Sequence, residues 1–257
     1  MMVALANRLN RLPLAPRLWA WRGHLGELGL YLGAYLVYLL SRGLVFPDPQ
    51  VALDHAHQLM ALEQALGIFL EPGGQAWAIA HAPPLVILLN WVYIVTYWPV
   101  ILGLALVLYR FRRRAYYYYR SVIYINLALA LLIFMLFPLA PPLMIPSHFV
   151  DTIQVYGPAF YGGEAMTPFY NRTAALPSLH FSWSLILGVL FYRSFKGWFK
   201  VLGLLYPALT FFAVIITGNH YILDAVAGGA LVGVAFLLVA VGQRRRERRC
   251  YGGSRQG

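Results

Sequence analysis

The stretch AALPSLHFSWS, residues 174–184, decides how the chain can fold. It places a proline, a serine and His180 directly before an apolar run that is long enough to enter a membrane. A second histidine, His220, lies in TGNHYILDAVAGG, residues 217–229, and again precedes an apolar run. Ionisable side chains near membrane depth are costly and are usually functional. The two histidines are therefore the first candidates for chemistry.

The composition excludes a soluble globular protein. Of the 257 residues, 60% are hydrophobic and only 11% are charged, and the mean hydropathy is +0.63. Such a chain has too little polar surface for water and is typical of a polytopic membrane protein. The single cysteine, Cys250, rules out an internal disulfide and a thiolate metal site.

Apolar stretches near the length of a membrane crossing, about 20 residues, predict an all-α bundle of six transmembrane helices. They lie near 26–45, 84–109, 121–140, 180–195, 200–219 and 221–241. The first is long and lacks a small-residue cleavage pattern, so we interpret it as a retained span rather than a signal peptide. The predicted organisation is a basic N-terminal segment at 1–25, a membrane domain at 26–241 and a basic tail at 242–257.

The net charge of +11 is explained by topology. With both termini on one side, all but two of the 20 Lys and Arg residues fall on that side, and only Arg42 and Arg172 remain for the other. Excess positive charge in short loops marks the cytoplasm. We therefore expect cytoplasmic termini in a plasma or Golgi-like membrane, an extracytoplasmic site, and no nucleic-acid partner.

Two larger segments lie on the predicted outer side. In VALDHAHQLMALEQALGIF, residues 51–69, apolar side chains recur at roughly helical spacing while Glu63 falls elsewhere on the wheel; the apolar positions are Leu53, Leu59, Leu62, Leu66 and Phe69. We expect a helix that lies at the outer interface or covers the mouth of the bundle. The second segment, 141–179, is rich in Pro and Gly and predicts an irregular loop that walls the site.

The two histidines are expected to meet. They are 40 residues apart, and two helical passes of about 20 residues run roughly 30 Å across the membrane and back. Asp224 follows His220 by four residues, so its carboxylate lies on the same helix face and can orient the imidazole. This arrangement predicts a histidine nucleophile with an orienting acid, and a second histidine that transfers a proton.

The electrophile is expected to be a phosphate ester. Arg172 lies eight residues before His180, and a guanidinium can hold phosphate oxygens in a bidentate fork. The helix start at Ser178 adds unpaired backbone N–H groups that favour an anion. Ser178 itself is expected either to cap that helix or to bind phosphate.

The two histidine motifs resemble the second and third signature motifs of the type 2 phosphatidic acid phosphatase superfamily, in the branch related to inositol phosphorylceramide synthase. NWVYIVTYWPV at 90–100, APPL at 140–143 and VDT at 150–152 also resemble that branch, as does the Asp-containing outer helix, so the likeness covers about residues 50–235. The resemblance implies that His220 attacks phosphorus to give a phosphohistidine, that Asp224 orients it, and that His180 protonates the leaving oxygen. It implies no cofactor.

The chain departs from the family pattern at several positions. The basic first motif is not visible, Leu143 stands where the branch commonly has arginine, and the Ser-Arg pair that often precedes the third-motif histidine is absent. Tyr97 replaces a frequent histidine before Trp-Pro. The candidate substrate-binding set is therefore Arg172, Ser178, Arg42, Asn219 and Tyr221.

The sequence supports two functions of different classes. The first is a lipid phosphatase or phospholipid headgroup phosphotransferase, with a lipid phosphate as substrate and water, a polyol or a lipid alcohol as acceptor. The second is a non-catalytic lipid-binding scaffold or small transporter on the same fold. A zinc site is disfavoured because the outer histidines form no convincing ligand cluster; these are His55, His57, His81 and His148.

Overall fold

The computed structural model describes residues 14–44, 48–158 and 173–253. These residues are mainly helical and contain no strand, so the all-α prediction is confirmed for the described part of the chain. The chain divides into two compact units with a boundary between Phe46 and Pro47. The first unit holds α1, Leu14–Leu44. This helix runs without a break through the predicted domain boundary at residue 25.

The second unit contains the remaining helices. In chain order they are α2 (Pro49–Ala65), α3 (Glu71–His81), α4 (Pro83–Trp91), a π-helical turn (Val92–Thr96), α5 (Tyr97–Phe111), α6 (Arg113–Leu136), a 3₁₀ turn (Pro142–Met144), α7 (Thr152–Tyr156), α8 (Leu179–Ser194), α9 (Phe199–Ile216) and α10 (Ile222–Gly253). The segment 141–158, predicted as irregular, thus contains a 3₁₀ turn and the short α7.

Four helical stretches in the described ranges are long and apolar enough to cross a membrane. They are Pro83–Phe111, Arg113–Leu136, Phe199–Ile216 and Ile222–Arg248. This supports an integral membrane protein but does not confirm six spans. Helix α8 has only 16 residues, which at 1.5 Å per residue is about 24 Å, short of the roughly 30 Å hydrocarbon core.

The buried face of α2 differs from the predicted one. Glu63 is fully buried, whereas Leu62 and Leu66 are 50% and 57% exposed. The inward face is formed by Ala52, Ala56, Leu59, Met60 and Glu63. Its apolar members pack with the segments that carry Leu139, Phe149 and Tyr221. The apolar spacing did not predict this position for Glu63, because its carboxylate is held by the Leu223 N–H of α10, which apolar periodicity does not reveal.

Helices α8 and α9 approach each other through facing glycines. A Cβ atom on Gly188 would lie 2.5 Å from the carbonyl oxygen of Gly203, and a Cβ on Gly203 would lie 2.7 Å from that of Gly188. Both distances are below van der Waals contact, so only residues without a side chain allow this spacing. The contact sets the position of α8, whose first turn carries His180.

We therefore predict that Gly188→Ala destabilises the protein by about 1–3 kcal/mol, because the added methyl group overpacks a rigid backbone contact. The matched control is Gly103→Ala in α5, where an added Cβ meets nothing within 4 Å. This control should be neutral or stabilising by about 0.5–1 kcal/mol. Thermal melting of both variants in one detergent tests the difference, and equal melting temperatures would contradict the close α8–α9 packing.

Candidate functional site

The turn that carries His220 joins α9 to α10 and depends on a glycine. Gly218 adopts φ +72°, a left-handed conformation that glycine tolerates best. Its N–H donates to the Ile215 carbonyl at 3.0 Å, and its carbonyl accepts from the Leu143 N–H at 2.8 Å. A Cβ at this position would also lie 2.9 Å from Nε2 of Gln75. The turn is therefore fixed by its own backbone and by residues distant in sequence.

Two buried side chains hold the same turn from outside. Gln75 donates from Nε2 to the carbonyls of Ile216 and Val150, each at 3.0 Å. Its Oε1 accepts from the Val150 N–H at 2.8 Å. Thr152 donates from Oγ1 to the Thr217 carbonyl, at 3.2 Å. These bonds link α3 and α7 to the end of α9, so the turn has little freedom to move.

The segment before α8 supplies a partner for His220. Leu139 and Ala174 form an isolated parallel bridge, in which Ala175 donates its N–H to the Leu139 carbonyl at 3.2 Å. The carbonyl of Ala175 then lies 2.9 Å from Nδ1 of His220. Leu139, which directly precedes the APPL motif, thus aligns the chain that leads into the second motif.

Two acceptors determine the tautomer of His220. Its Nδ1 lies 2.9 Å from the Ala175 carbonyl and 3.3 Å from Oδ2 of Asp224. Since both partners accept, Nδ1 carries the proton and Nε2 keeps its lone pair. The Ala175 carbonyl is the closer of the two orienting contacts.

Asp224 joins the second and third motifs. Its side chain is fully buried, and Oδ2 accepts from the Tyr221 N–H at 2.9 Å in addition to facing His220. Its backbone carbonyl accepts from the Ser178 N–H at 3.0 Å. A displacement of the Asp224 backbone would therefore also move the residue that begins α8.

His180 lies beside His220, with ring centroids 6.3 Å apart and planes inclined at 54°. The structure thus brings the two predicted histidines together. His180 also packs against Tyr93 at 4.2 Å and Tyr97 at 4.3 Å between ring centroids. Tyr93 lies within the π-helical turn at Val92–Thr96 and Tyr97 directly follows it; such a local helix distortion is frequent at functional sites. Tyr97 therefore contacts the second-motif histidine through its ring.

Ser178 is the N-cap of α8, and its Oγ accepts from the Phe181 N–H at 3.3 Å. Its carbonyl lies against α10 at Gly228, where a Cβ would be 2.8 Å from both that oxygen and the Ser182 hydroxyl. Of the glycines in the last helix, Gly228 thus permits close packing. At Gly229 an added Cβ meets only ordinary contacts, and at Gly233 nothing within 4 Å.

Three carboxylates satisfy successive N–H groups at the start of α10. Oδ2 of Asp224 accepts from Tyr221 at 2.9 Å, Oε1 of Glu71 accepts from Ile222 at 2.7 Å, and Oε1 of Glu63 accepts from Leu223 at 2.8 Å. Burial raises the pKa of Glu63 to about 8. The Leu223 N–H acts in the opposite direction, and Glu71 and Asp224 add smaller increases. The two glutamates were not predicted as site residues.

The remaining predicted residues lie in different places. Asn219 is buried and donates from Nδ2 to the Thr217 hydroxyl at 2.7 Å, so its amide stabilises the turn. Tyr221 is fully buried in the cluster with α2. Burial raises its pKa, and the charge of Asp224 raises it further. Arg42 belongs to α1 in the other unit, and its side chain lies outside the described part of the chain. Arg172 as a whole lies outside the described residues.

The outer histidines do not form a common site. Nδ1 of His55 lies 2.7 Å from the Pro138 carbonyl, and Nδ1 of His148 lies 2.8 Å from the Ser147 hydroxyl. His81 pairs with the Trp77 carbonyl within α3. In the described ranges, no group of three or more His, Cys, Asp and Glu residues could hold a metal ion.

The sequence indicates the two histidines and Asp224, but it does not indicate the groups that hold them in place. A backbone carbonyl such as that of Ala175 has no sequence signature. Glu63 and Glu71 carried a usable signal, since an acidic residue in a segment that packs on an apolar bundle is costly unless it has a partner. Gln75 carried the same signal.

The comparisons with curated proteins and with solved structures gave no match. A sequence model of the PAP2 superfamily matches residues 57–238, a range that includes both histidine motifs and the glutamates that cap α10. The chain belongs to the PAP2 superfamily and is a phosphatase-type membrane protein.

Proposed function

We propose that this protein is a membrane enzyme that cleaves a lipid phosphate ester through a phosphohistidine on His220. The observation that carries the proposal is the hydrogen bonding of Nδ1, which leaves Nε2 with a lone pair. Beside it, 6.3 Å away between ring centroids, lies a second imidazole. Phosphatase-type function of the superfamily supports the same chemistry.

In the first step, Nε2 of His220 attacks phosphorus and a new N–P bond forms while the P–O bond to the leaving group breaks. The ring becomes positively charged, and the Asp224 carboxylate, 3.3 Å from Nδ1, stabilises that charge. His180 gives a proton to the leaving oxygen. A phosphate bound between the rings favours protonated His180, because negative charge beside an imidazole stabilises its cationic form.

In the second step, an acceptor hydroxyl attacks the phosphohistidine. His180, now neutral, takes the proton from the acceptor, and the N–P bond breaks to restore His220. Water as acceptor gives a phosphatase, whereas a polyol such as inositol or a lipid alcohol gives a headgroup transferase. The resemblance of the motifs to the inositol phosphorylceramide synthase branch supports including the transfer reaction in the test.

Phosphate oxygens require donors in addition to the histidines. We propose Arg172 as the cation that binds these oxygens, because it is predicted on the side of the histidines. The first turn of α8 supplies further N–H groups, since a helix start leaves backbone donors without helical partners. Ser178 caps α8, and its O–H can still donate to a phosphate oxygen.

The alternative, a non-catalytic scaffold or transporter, has less support. A scaffold has no need to fix one imidazole tautomer with two acceptors, or to bury a carboxylate beside it. The buried polar network instead matches what a reacting group needs, because a preorganised nucleophile loses little entropy in the reaction.

The first test measures phosphate release from phosphatidic acid by purified protein in detergent. We expect His220→Ala to lower turnover by more than about a thousandfold, because the nucleophile is lost. His180→Ala should lower it by about 10²–10⁴-fold, the usual contribution of proton transfer. The matched control is His57→Ala, which removes an exposed histidine of α2 and should turn over like the unmodified protein.

The same assay with phosphatidylinositol and a lipid alcohol, with and without free inositol, separates hydrolysis from transfer. Equal turnover by His220→Ala and the unmodified protein would remove His220 as the nucleophile. Lipid binding without turnover on any of these substrates would favour the scaffold.

A second prediction concerns Arg172. We expect Arg172→Ala to raise KM at least about tenfold or to abolish turnover without lowering the melting temperature, because a charged bidentate contact contributes about 1.5–3 kcal/mol. Arg172→Lys should recover only part of the loss, since lysine lacks the fork. The control Arg245→Ala removes an exposed arginine near the end of α10. Unchanged kinetics in Arg172→Ala would make this residue an ordinary loop charge.

A further inference from the structure

Helix α10 begins directly behind His220, and its first N–H groups need acceptors because no earlier helical turn supplies them. Two of the acceptors come from outside the motif. The Ile222 N–H donates to Oε1 of Glu71 and the Leu223 N–H donates to Oε1 of Glu63. Negative side chains at this position are also favoured by the positive end of the helix dipole.

The two glutamates are presented together by one hairpin. Glu63 lies near the end of α2 and Glu71 begins α3. Between them Gly67 adopts φ +70°, and the Ile68 N–H returns to the Glu63 carbonyl at 2.9 Å. Because the hairpin is short and the donors Ile222 and Leu223 are consecutive, both carboxyl groups lie at the first turn of α10.

The second oxygen of each of these carboxyl groups still needs a hydrogen-bond donor. Both side chains are fully buried, and Oε2 of Glu63 and Oε2 of Glu71 have no hydrogen-bond donor. The two carboxyl groups accept from consecutive N–H groups of α10, those of Leu223 and Ile222, and therefore lie close together. Two buried carboxylates side by side repel each other, whereas one proton between them satisfies both oxygens.

We propose that Glu63 and Glu71 are positioning residues that share one proton between their Oε2 atoms and thereby hold the first turn of α10, with His220 and Asp224, in its reactive place. Neither glutamate touches the reacting atoms in this scheme. The kinetic consequences of this proposal rest on the proposed role of His220. The structural part, the shared proton, stands independently of the reaction.

The shared proton predicts a characteristic dependence on pH. The titratable groups that face Glu63 are Glu71, Asp224 and Tyr221. All three are neutral or negative, so none favours ionised Glu63. Its pKa is raised from 4.5 to about 8, chiefly by burial. Above that pH the proton is lost, and the carboxylates that hold α10 repel one another.

The sign for stability follows from proton linkage. Between about pH 4.5 and 8 the folded protein keeps a proton that the unfolded chain releases, so stability falls as pH rises through this window and then levels off. Glu63→Gln removes this contribution. Its amide keeps an oxygen for the Leu223 N–H and offers an N–H to Glu71, so it imitates the protonated pair at every pH.

The experiment compares Glu63→Gln, Glu63→Ala and Glu71→Gln with the unmodified protein in one detergent, from pH 5 to 9.5. We expect Glu63→Gln to keep kcat within about threefold at pH 7 and to lose both the alkaline decline in kcat and the fall in melting temperature. Glu63→Ala should lower kcat at least about tenfold with little change in KM. The control is Glu247→Gln, an exposed glutamate in the distal part of α10, which should behave like the unmodified protein.

Several outcomes would overturn the proposal. A kcat loss in Glu63→Gln as large as that in Glu63→Ala would mean that the negative charge is required rather than a shared proton. A melting temperature with the same pH dependence in Glu63→Gln and the unmodified protein would exclude the raised pKa. If Glu63→Ala does not fold, the Glu63→Gln profiles still decide. If the unmodified protein shows no turnover, the proposed function fails, while the melting profiles continue to test the shared proton.

Discussion

The site depends on one constraint, which is that the turn between α9 and α10 must keep Nε2 of His220 available for reaction while the backbone of the turn stays hydrogen-bonded. A buried polar group without a partner costs about 1–3 kcal/mol, so a turn of this kind needs acceptors and donors from elsewhere in the fold. The Ala175 carbonyl and Asp224 hold Nδ1 of His220. Gln75 and Thr152 hold the end of α9, and the glutamates hold the start of α10.

This constraint explains why segments distant along the chain pack around the same turn. The hairpin of α2 and α3 supplies Glu63, Glu71 and Gln75, none of which belongs to either histidine motif. Leu139, just before the APPL motif, pairs with Ala174 and aligns the stretch that carries Ala175. The π-helical turn presents Tyr93 and Tyr97 against His180. The match to the superfamily begins at residue 57 and therefore includes most of this supporting structure.

The sequence predicted the central part of the site because that part follows from helix geometry. Two histidines that are separated by a hairpin of two helices return to the same end of that hairpin. An aspartate four residues after His220 lies on the same helix face. The all-α class was predicted from hydropathy for the same reason. Prediction failed where tertiary contacts decide which side chains hold the site. The acidic character of Glu63 indicates that it needs a partner, but its place on the helical wheel does not indicate that α10 supplies the donor.

If His220 carries the phosphoryl group, brief reaction with phosphatidic acid labelled at phosphorus, followed by an alkaline quench, should trap the label on the protein. Phosphohistidine is stable to base and labile to mild acid. We expect an acid-labile label on the unmodified protein, located on the peptide that contains His220 and absent from His220→Ala. An acid-stable label, or a label that persists in His220→Ala, would contradict this role of His220.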